Sequence, residues 1–331
     1  MRVQVPPSAE KIMPLNQSII EKRNKIIKRN NFKLLKVFDT NEHEDYKDVV
    51  LVLDPKDNKK KVLRVGEHRT KNFFYRGYHG KSLIIPKIYK INTEKNNPYE
   101  IEEFIPGKLI HQKFKVTLAD SLIPDKYIDL MIKSFWEFQK VAQKQRIPRH
   151  KVWNEKIKKH YNYATVLIDN PDRVTELLNK PKIKKFFQNN KYLCKWKFSI
   201  DNLIVTDDNK LGFIDLARVS KSFWGYDLGW IFWPSWFHLT INEYKKANKH
   251  FKYLEKLFKK INKLSPKSNR VDIIYSGYLL ILERIIGTFF DLSAQISHAQ
   301  KINSQNKKRK AYIKFLNELL ILTIDKIEKY K

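Results

Sequence analysis

The chain has 331 residues, of which 42% are hydrophobic and 13% aromatic, so it can bury a sizeable core and is not a disordered tail. Its formal net charge is +31, and its single cysteine, Cys194, excludes an internal disulfide framework and a cysteine-based zinc site. A chain without disulfides fits a reducing compartment, and we expect the cytoplasm.

The N-terminal stretch "MRVQVPPSAEKIMPLNQ" lacks the continuous apolar run of a signal peptide. We expect residues 1–31 to hold a leader and a helix outside the main fold. Met13 is an alternative start.

Residues 32–106 are predicted to form a small β-rich lobe. The segment 68–80, which is polar and aromatic, is predicted to be one helix. Turn-prone polar residues separate five runs that are rich in β-branched and apolar residues. These five runs predict antiparallel strands over 32–38, 48–54, 60–67, 84–91 and 98–107.

Residues 107–331 are predicted to form a larger, mainly helical lobe. Apolar residues recur there at three- and four-residue spacing, which is typical of amphipathic helices. One island, "NLIVTDDNKLGFIDL", instead predicts a β-hairpin with its turn at residues 207–210. The helical pattern covers 125–143, 243–261, 271–296 and 311–328.

The two longest apolar stretches of the sequence need to be compared with membrane spans. "DLGWIFWPSWFHL" is short and contains Pro234, and "IIYSGYLLILERIIGTFFDL" has Glu283 and Arg284 at its centre. A charge at the centre of a bilayer is costly, so both stretches are predicted to be buried helices and no transmembrane segment is expected.

The basic charge has two interpretations. A field of this size attracts phosphates, nucleic acid or an anionic membrane surface. Alternatively, the lysines are solvated faces in a chain rich in Lys, Asn and Ile. The lysines are spread along the whole sequence with no single stripe, which favours the second interpretation. Local concentrations occur at "KKFFQNNKYLCKWK" and at 307–310.

Three motifs, in this order, give the chain a family resemblance. "YEIEEFIPGKLI" resembles the hinge of the aminoglycoside phosphotransferases and their choline-kinase-like relatives. "NLIVTDDNKLGFID" is similar to that family's metal-binding hairpin, with the same 13-residue step from Asn202 to Asp215. "WGYDLGWIFW" resembles its Tyr-Asp-Leu-Ala segment, 12 residues further on at Asp227. The resemblance implies a protein-kinase-like α+β fold with two lobes, and covers about residues 32–300.

The resemblance also implies roles for particular residues. Asn202 and Asp215 would hold Mg²⁺, although an Asn and an Asp in a surface hairpin turn are the plainer alternative. Asp227 would brace the catalytic loop. ATP would lie against Arg64, at the position of the family's strand-three lysine, and against the hinge backbone. The implied hinge residues are Glu103 and Ile105; the side chains of Glu102 and Glu103 are expected to face solvent.

The sequence departs from the family where catalysis needs a base. The family's His-Gly-Asp becomes Lys195-Trp196-Lys197, and a charged lysine at the base position cannot accept a hydroxyl proton. Asp201 is a minor candidate replacement. The segment 68–80 contains no acid to pair with Arg64, and the loop "DTNEHEDYKD" has no glycine with which to cradle phosphates.

Three hypotheses therefore remain. The first is a catalytically impaired pseudokinase that binds a nucleotide or another anion, with Lys197 as an inactive replacement of the base. The second is an active phosphotransferase that uses ATP and Mg²⁺ to modify the hydroxyl of a small-molecule acceptor, because positioning and electrostatics carry much of phosphoryl transfer. The third, which is not favoured, is binding of nucleic acid or an anionic membrane surface. The sequence does not identify the acceptor, but a polycation would be repelled.

Overall fold

The computed structural model describes residues 15–38, 48–66, 76–94, 98–110, 124–143, 153–189, 191–194, 198, 202–214, 216, 219–267, 269 and 271–330. The chain divides into two compact units. The first comprises Met1–Tyr78 and Pro86–Ile105, and the second comprises His79–Ile85 and Pro106–Lys331.

The described residues form both strands and helices. The strands are β1 Lys33–Phe38, β2 Asp48–Asp54, β3 Lys59–Val65, β4 Tyr78–His79, β5 Leu83–Ile85, β6 Ile88–Asn92, β7 Tyr99–Glu103, β8 Lys108–Leu109, β9 Tyr192–Cys194, β10 Leu203–Val205, β11 Leu211–Phe213 and β12 Ser220–Ser222. The helices are α1 Leu15–Arg29, α2 Asp125–Gln143, α3 Trp153–Ala164, α4 Pro171–Asn179, α5 Pro181–Gln188, α6 Tyr226–Gly229, α7 Trp233–His238, α8 Ile241–Tyr244, α9 Ala247–Leu264, α10 Ile273–Ser293, α11 Ser297–Asn303 and α12 Asn306–Lys329. A short 3₁₀ helix covers Thr165–Leu167.

The first unit is built on a five-stranded sheet in the order β1-β2-β3-β7-β6. Every neighbouring pair is antiparallel, as predicted from short β-rich runs separated by polar turns. Alternate residues of the central strands point to one face, where they meet helix α1. The buried cluster there contains Ile26, Val50, Val52, Leu63, Val65, Tyr99 and Ile101.

Two predictions for the β-rich segment are wrong in part. The run 84–91 divides at Pro86, and its first half, β5, pairs in parallel with β11 in the second unit. Proline has no N–H for a ladder, so the chain leaves one sheet there before it enters the other. The predicted helix over 68–80 does not include its last residues, because β4 covers Tyr78–His79. Residues 67–75 lie outside the described part.

The second unit contains the other five-stranded sheet, in the order β4-β5-β11-β10-β8, and the pair β12-β9. The predicted helices and the predicted hairpin are present. Helices α9, α10 and α12 pack against one another, and Gly277 lets α10 approach the Phe258 ring of α9. The predicted fold class, a small antiparallel β part and a larger, mainly helical part, is confirmed.

Helix α10 is the one described helix with the length and hydropathy of a membrane span. Its apolar window is 89% buried inside the protein, which is typical of a core helix. The buried ion pair between Glu283 and Arg284 lies at its centre. The sequence prediction of a buried helix is therefore confirmed.

Candidate functional site

Asn202 lies at the open end of the β10–β11 hairpin. Leu203 pairs with Phe213, and one step further the Ile214 N–H donates to the Asn202 carbonyl at 3.2 Å. At the other end the turn contains Asn209 at φ 58°, a left-handed conformation that asparagine tolerates. The hairpin register therefore places chain positions 202 and 214 side by side, and Asp215, the next residue, lies outside the described residues.

A buried hydrogen bond anchors the strand that precedes the candidate loop. Cys194 ends β9 and donates from Sγ to Asp227 Oδ1 at 3.5 Å, and both residues are fully buried. Strand β9 is also paired with β12, with Cys194 opposite Ser220. Asp227 thus holds the end of β9, directly before residues 195–201, by a hydrogen bond. This contact agrees with the bracing role that the resemblance implies.

The loop that should carry the base is bounded on both sides by described residues. Cys194 precedes it and Asn202 follows it. Lys195, Lys197 and Asp201 lie outside the described part of the chain. The assignment of Lys197 to the base position, and of Asp215 to a metal, therefore stays a prediction.

Arg64 on β3 has a carboxylate partner that the sequence reasoning missed. Its Nε–H donates to Glu102 Oε1 on the neighbouring strand β7 at 2.7 Å. Arg64 lies directly opposite Glu100, so Glu102 is its diagonal neighbour on the same face of the sheet. The expectation that Glu102 faces solvent is wrong, because the residue is only 5% exposed. The signal was available: glutamates at alternate strand positions share a face.

This ion pair should contribute measurably to stability. Replacing Glu102 by Ala leaves Arg64 without the carboxylate, and a hydrogen bond between charged groups contributes about 1.5–3 kcal/mol. We expect Arg64→Ala and Glu102→Ala to be non-additive in a double-mutant cycle, with a coupling energy of about 1–2 kcal/mol by denaturant unfolding. If the effects of the two substitutions were additive, the ion pair would contribute no coupling free energy to stability.

Glu103 and Ile105, the predicted hinge residues, lie at and just after the end of β7. The Glu103 N–H donates to the Lys87 carbonyl at 2.8 Å, and its carboxylate accepts the Lys87 N–H at 3.0 Å. Glu103 is half-buried, and Ile105 is 4% exposed. Because the Glu103 N–H and carboxylate both bind Lys87, this residue holds β7 against the start of β6.

Glu137 on α2 fixes the chain at the start of β5 and was not identified from the sequence. Its carboxylate accepts the backbone N–H groups of Lys81 and Ser82 at 2.9 and 2.8 Å. Ser134, one helical turn earlier, donates to the Ser82 carbonyl at 2.7 Å. Strand β5 is the neighbour of β11, so this cluster holds the sheet that carries the hairpin. The partners are more than 50 residues apart, and no local pattern joins them.

A buried ion pair on α10 packs against aromatic side chains at α6 and just after it. Arg284 pairs with Glu283, and its guanidinium stacks 5.1 Å from the Tyr226 ring and 4.8 Å from the Trp230 ring. Complete burial raises the pKa of the Tyr226 hydroxyl, and the neighbouring carboxylate raises the pKa of Arg284 against the effect of its burial. The arginine therefore stays charged, and the aromatic pair is already occupied by a cation.

Among the described residues, no group of three or more His, Cys, Asp or Glu side chains could hold a metal ion. Asn202 supplies an amide oxygen, which suits a hard cation such as Mg²⁺. Its implied carboxylate partner, Asp215, lies outside that part of the chain.

The described strands and helices, with the hairpin among them, have a protein-kinase-like fold. The structure is similar to that of a choline kinase from Streptococcus pneumoniae, with a TM-score of 0.53 and 14% identity over 90% of this chain and 99% of that one. It is also similar to a choline kinase from Cryptosporidium parvum Iowa II, with a TM-score of 0.52 and 13% identity over 94% and 99% of the two chains. A macrolide 2'-phosphotransferase from Brachybacterium faecium gives a TM-score of 0.50 and 10% identity over 91% and 98%.

These likenesses span nearly the full length of each chain, and at such identities they show a shared fold. No protein-family model matches the sequence. No curated protein matches it either. The resemblance inferred from the motifs is confirmed at the level of this kinase-like fold.

Proposed function

We propose that this protein is a kinase-like nucleotide-binding protein whose phosphotransfer activity is impaired, that is, a pseudokinase. The observation that carries the proposal is the segment Lys195-Trp196-Lys197 between Cys194 and Asn202. The anchored ends of this segment support its assignment as the loop that should hold the base. A lysine there cannot take a proton from an attacking hydroxyl while it is charged.

The proposed nucleotide is ATP. Arg64 would bind its phosphates through the forked guanidinium donors, and the Glu102 carboxylate fixes the direction of that side chain. The adenine would contact the backbone of Glu103 and Ile105.

The proposed metal ligands are Asn202 and Asp215. Their amide and carboxylate oxygens match the ligand preference of Mg²⁺, which supplies charge neutralisation for the phosphate oxygens when bound. The adjacency of positions 202 and 214 in the hairpin supports a common site for the two oxygens. Lys197 would compete with the metal for Asp215, because an ammonium group and Mg²⁺ prefer the same carboxylate.

The second candidate is an active phosphotransferase that modifies the hydroxyl of a small-molecule acceptor. The retained hairpin, with its ordered turn and Asn202 in register, favours it. Positioning and electrostatics alone accelerate phosphoryl transfer. The net charge of +31 favours a neutral or anionic acceptor over a polycation. In both cases the proposed compartment is the cytoplasm, where the buried Cys194 would stay reduced.

Thermal stabilisation by ATP, with and without Mg²⁺, tests the proposal on the purified natural protein. A ligand at about 100 times its Kd stabilises a protein by about 2.7 kcal/mol, so binding raises the melting temperature by a readily measured amount. We expect ATP to raise it with little effect of Mg²⁺, and ATP turnover to stay at the level of a control without protein. If no nucleotide changed the melting temperature, the proposed nucleotide site would be rejected. If the natural protein phosphorylated an acceptor, the second candidate, an active phosphotransferase, would be favoured instead.

A further inference from the structure

Helix α9 carries a row of lysines that the sequence reasoning did not recognise. Five exposed lysines recur along it at alternating steps of three and four residues. At about 100° per residue they fall within an arc of about 80° on the helix surface, and the row is about 21 Å long. This lysine row consists of Lys249, Lys252, Lys256, Lys259 and Lys263.

The opposite side of α9 is packed in the core, so the helix cannot rotate about its axis to bury the lysine row. That side buries Phe251, Leu254, Leu257, Phe258 and Ile261 between neighbouring helices. The helix therefore has no apolar face left to insert into a lipid surface. The lysine row must remain directed to solvent.

Within the described part of the chain, the ion pairs that α9 side chains form do not include any lysine of the row. Lys260, beside the row, binds Asp129 at 2.8 Å and Asp125 at 3.4 Å. On the other side, Glu255 binds Lys326 at 2.9 Å. His250 is hydrogen-bonded at 3.3 Å to Glu243, which lies just before the helix. Carboxylates thus border a narrow cationic row on both flanks, and among the described residues none forms an ion pair with a lysine of the row, although Glu243 attracts Lys249 at longer range.

The shape of this charge distribution selects the partner. A planar anionic bilayer would meet the bordering carboxylates together with the lysines. A linear polyanion can follow the row and avoid them. Duplex DNA carries about one negative charge for every 1.7 Å of its axis, counting both strands, so a straight row of lysines about 21 Å long can meet several phosphates.

We infer that the lysine row of α9 is a binding surface for the phosphodiester backbone of a nucleic acid. Among the described residues of the row's own arc there is no aromatic side chain, so bases have no stacking platform and binding is independent of sequence. Duplex DNA binds at least as tightly as a single strand of equal length. Five neutralised phosphates give a slope of about −4.5 for log K against log salt concentration on duplex DNA.

Fluorescence anisotropy with a short labelled DNA duplex, between about 50 and 200 mM salt, measures this slope. The test variant is Lys252→Glu/Lys256→Glu/Lys259→Glu. Its matched control, Lys25→Glu/Lys133→Glu/Lys184→Glu, changes the net charge equally at exposed lysines on other helices. Circular dichroism checks that each variant folds. If the variant with three glutamates does not fold, the variant Lys252→Gln/Lys256→Gln/Lys259→Gln, which removes the charges without reversing them, replaces it.

We expect the row variant to bind at least about tenfold more weakly and the Lys→Gln triple to lower the slope by about 2.7, while the control changes binding less than about twofold. Equal losses in row variant and control would attribute binding to net charge alone and overturn the inference. Absence of duplex binding by the natural protein would also overturn it. Binding to phosphatidylserine vesicles but not to nucleic acid would assign the row to a membrane surface instead.

Discussion

Replacing Glu283 by Ala is expected to lower the free energy of unfolding by about 3–5 kcal/mol, because it leaves a charged arginine buried without its carboxylate. The side chains of Arg284 and Glu283 are only 5% and 3% exposed. The guanidinium also stacks on Tyr226 and Trp230, so it cannot reach water without disrupting the aromatic packing under α6. Denaturant unfolding followed by tryptophan fluorescence measures the loss.

The double variant Glu283→Leu/Arg284→Met removes both charges at similar volume. Such replacements of buried ion pairs are often neutral or stabilising, so it should recover most of the stability lost in Glu283→Ala. Glu318→Ala, at a half-exposed position on α12, is the surface control and should change stability by less than about 0.5 kcal/mol. A loss in Glu283→Ala no larger than in this control would show that the pair contributes little.

Lys197→Asp should make ATP binding depend on Mg²⁺. Under the proposed function, the substitution removes the cation that competes for Asp215 and restores a carboxylate in one step. Two charges about 4 Å apart interact by about 4 kcal/mol at an effective dielectric constant of 20, so a tenfold effect, about 1.4 kcal/mol, is a conservative expectation. We expect Mg²⁺ to strengthen ATP binding by at least about tenfold in the variant and less than about threefold in the natural protein, measured by titration calorimetry.

Two further variants separate the contributions. Lys197→Ala removes the cation without adding a carboxylate, so it should give an intermediate dependence on Mg²⁺. Asp215→Ala should abolish the dependence in combination with Lys197→Asp. Slow ATP turnover is expected in Lys197→Asp alone, and it should stay far from that of an active kinase because the loop before β2 still lacks glycine. Turnover by the natural protein that is insensitive to Lys197 would show that the base lies elsewhere.

Local periodicity was sufficient to predict much of the fold. Short runs rich in β-branched and apolar residues, bounded by turn-prone polar residues, specify β2 and β3, and Val50, Val52, Leu63 and Val65 pack in the cluster with Ile26 of α1. The three- and four-residue spacing in α9 and α10 specifies helices whose apolar sides meet. The hairpin was predictable from its turn residues, since Asn209 adopts the left-handed conformation that the turn needs. Three motifs taken together, from the hinge at residues 99–110 to Asp227, resemble those of a family with a kinase-like fold, and that resemblance predicted the fold class that the structure confirms.

Other features depend on residues that are distant in sequence, and only the tertiary structure decided them. Strand β5 leaves its neighbour β6 at Pro86 and pairs with β11, more than 100 residues later. Arg64 pairs with Glu102 on the neighbouring strand, and not with an acid of the segment 68–80, because the sheet register places the two side chains on one face. The lysine row is indistinct in a sequence that is basic throughout. It becomes a single line only because the core holds the apolar side of α9, which sends one arc of the helix to solvent.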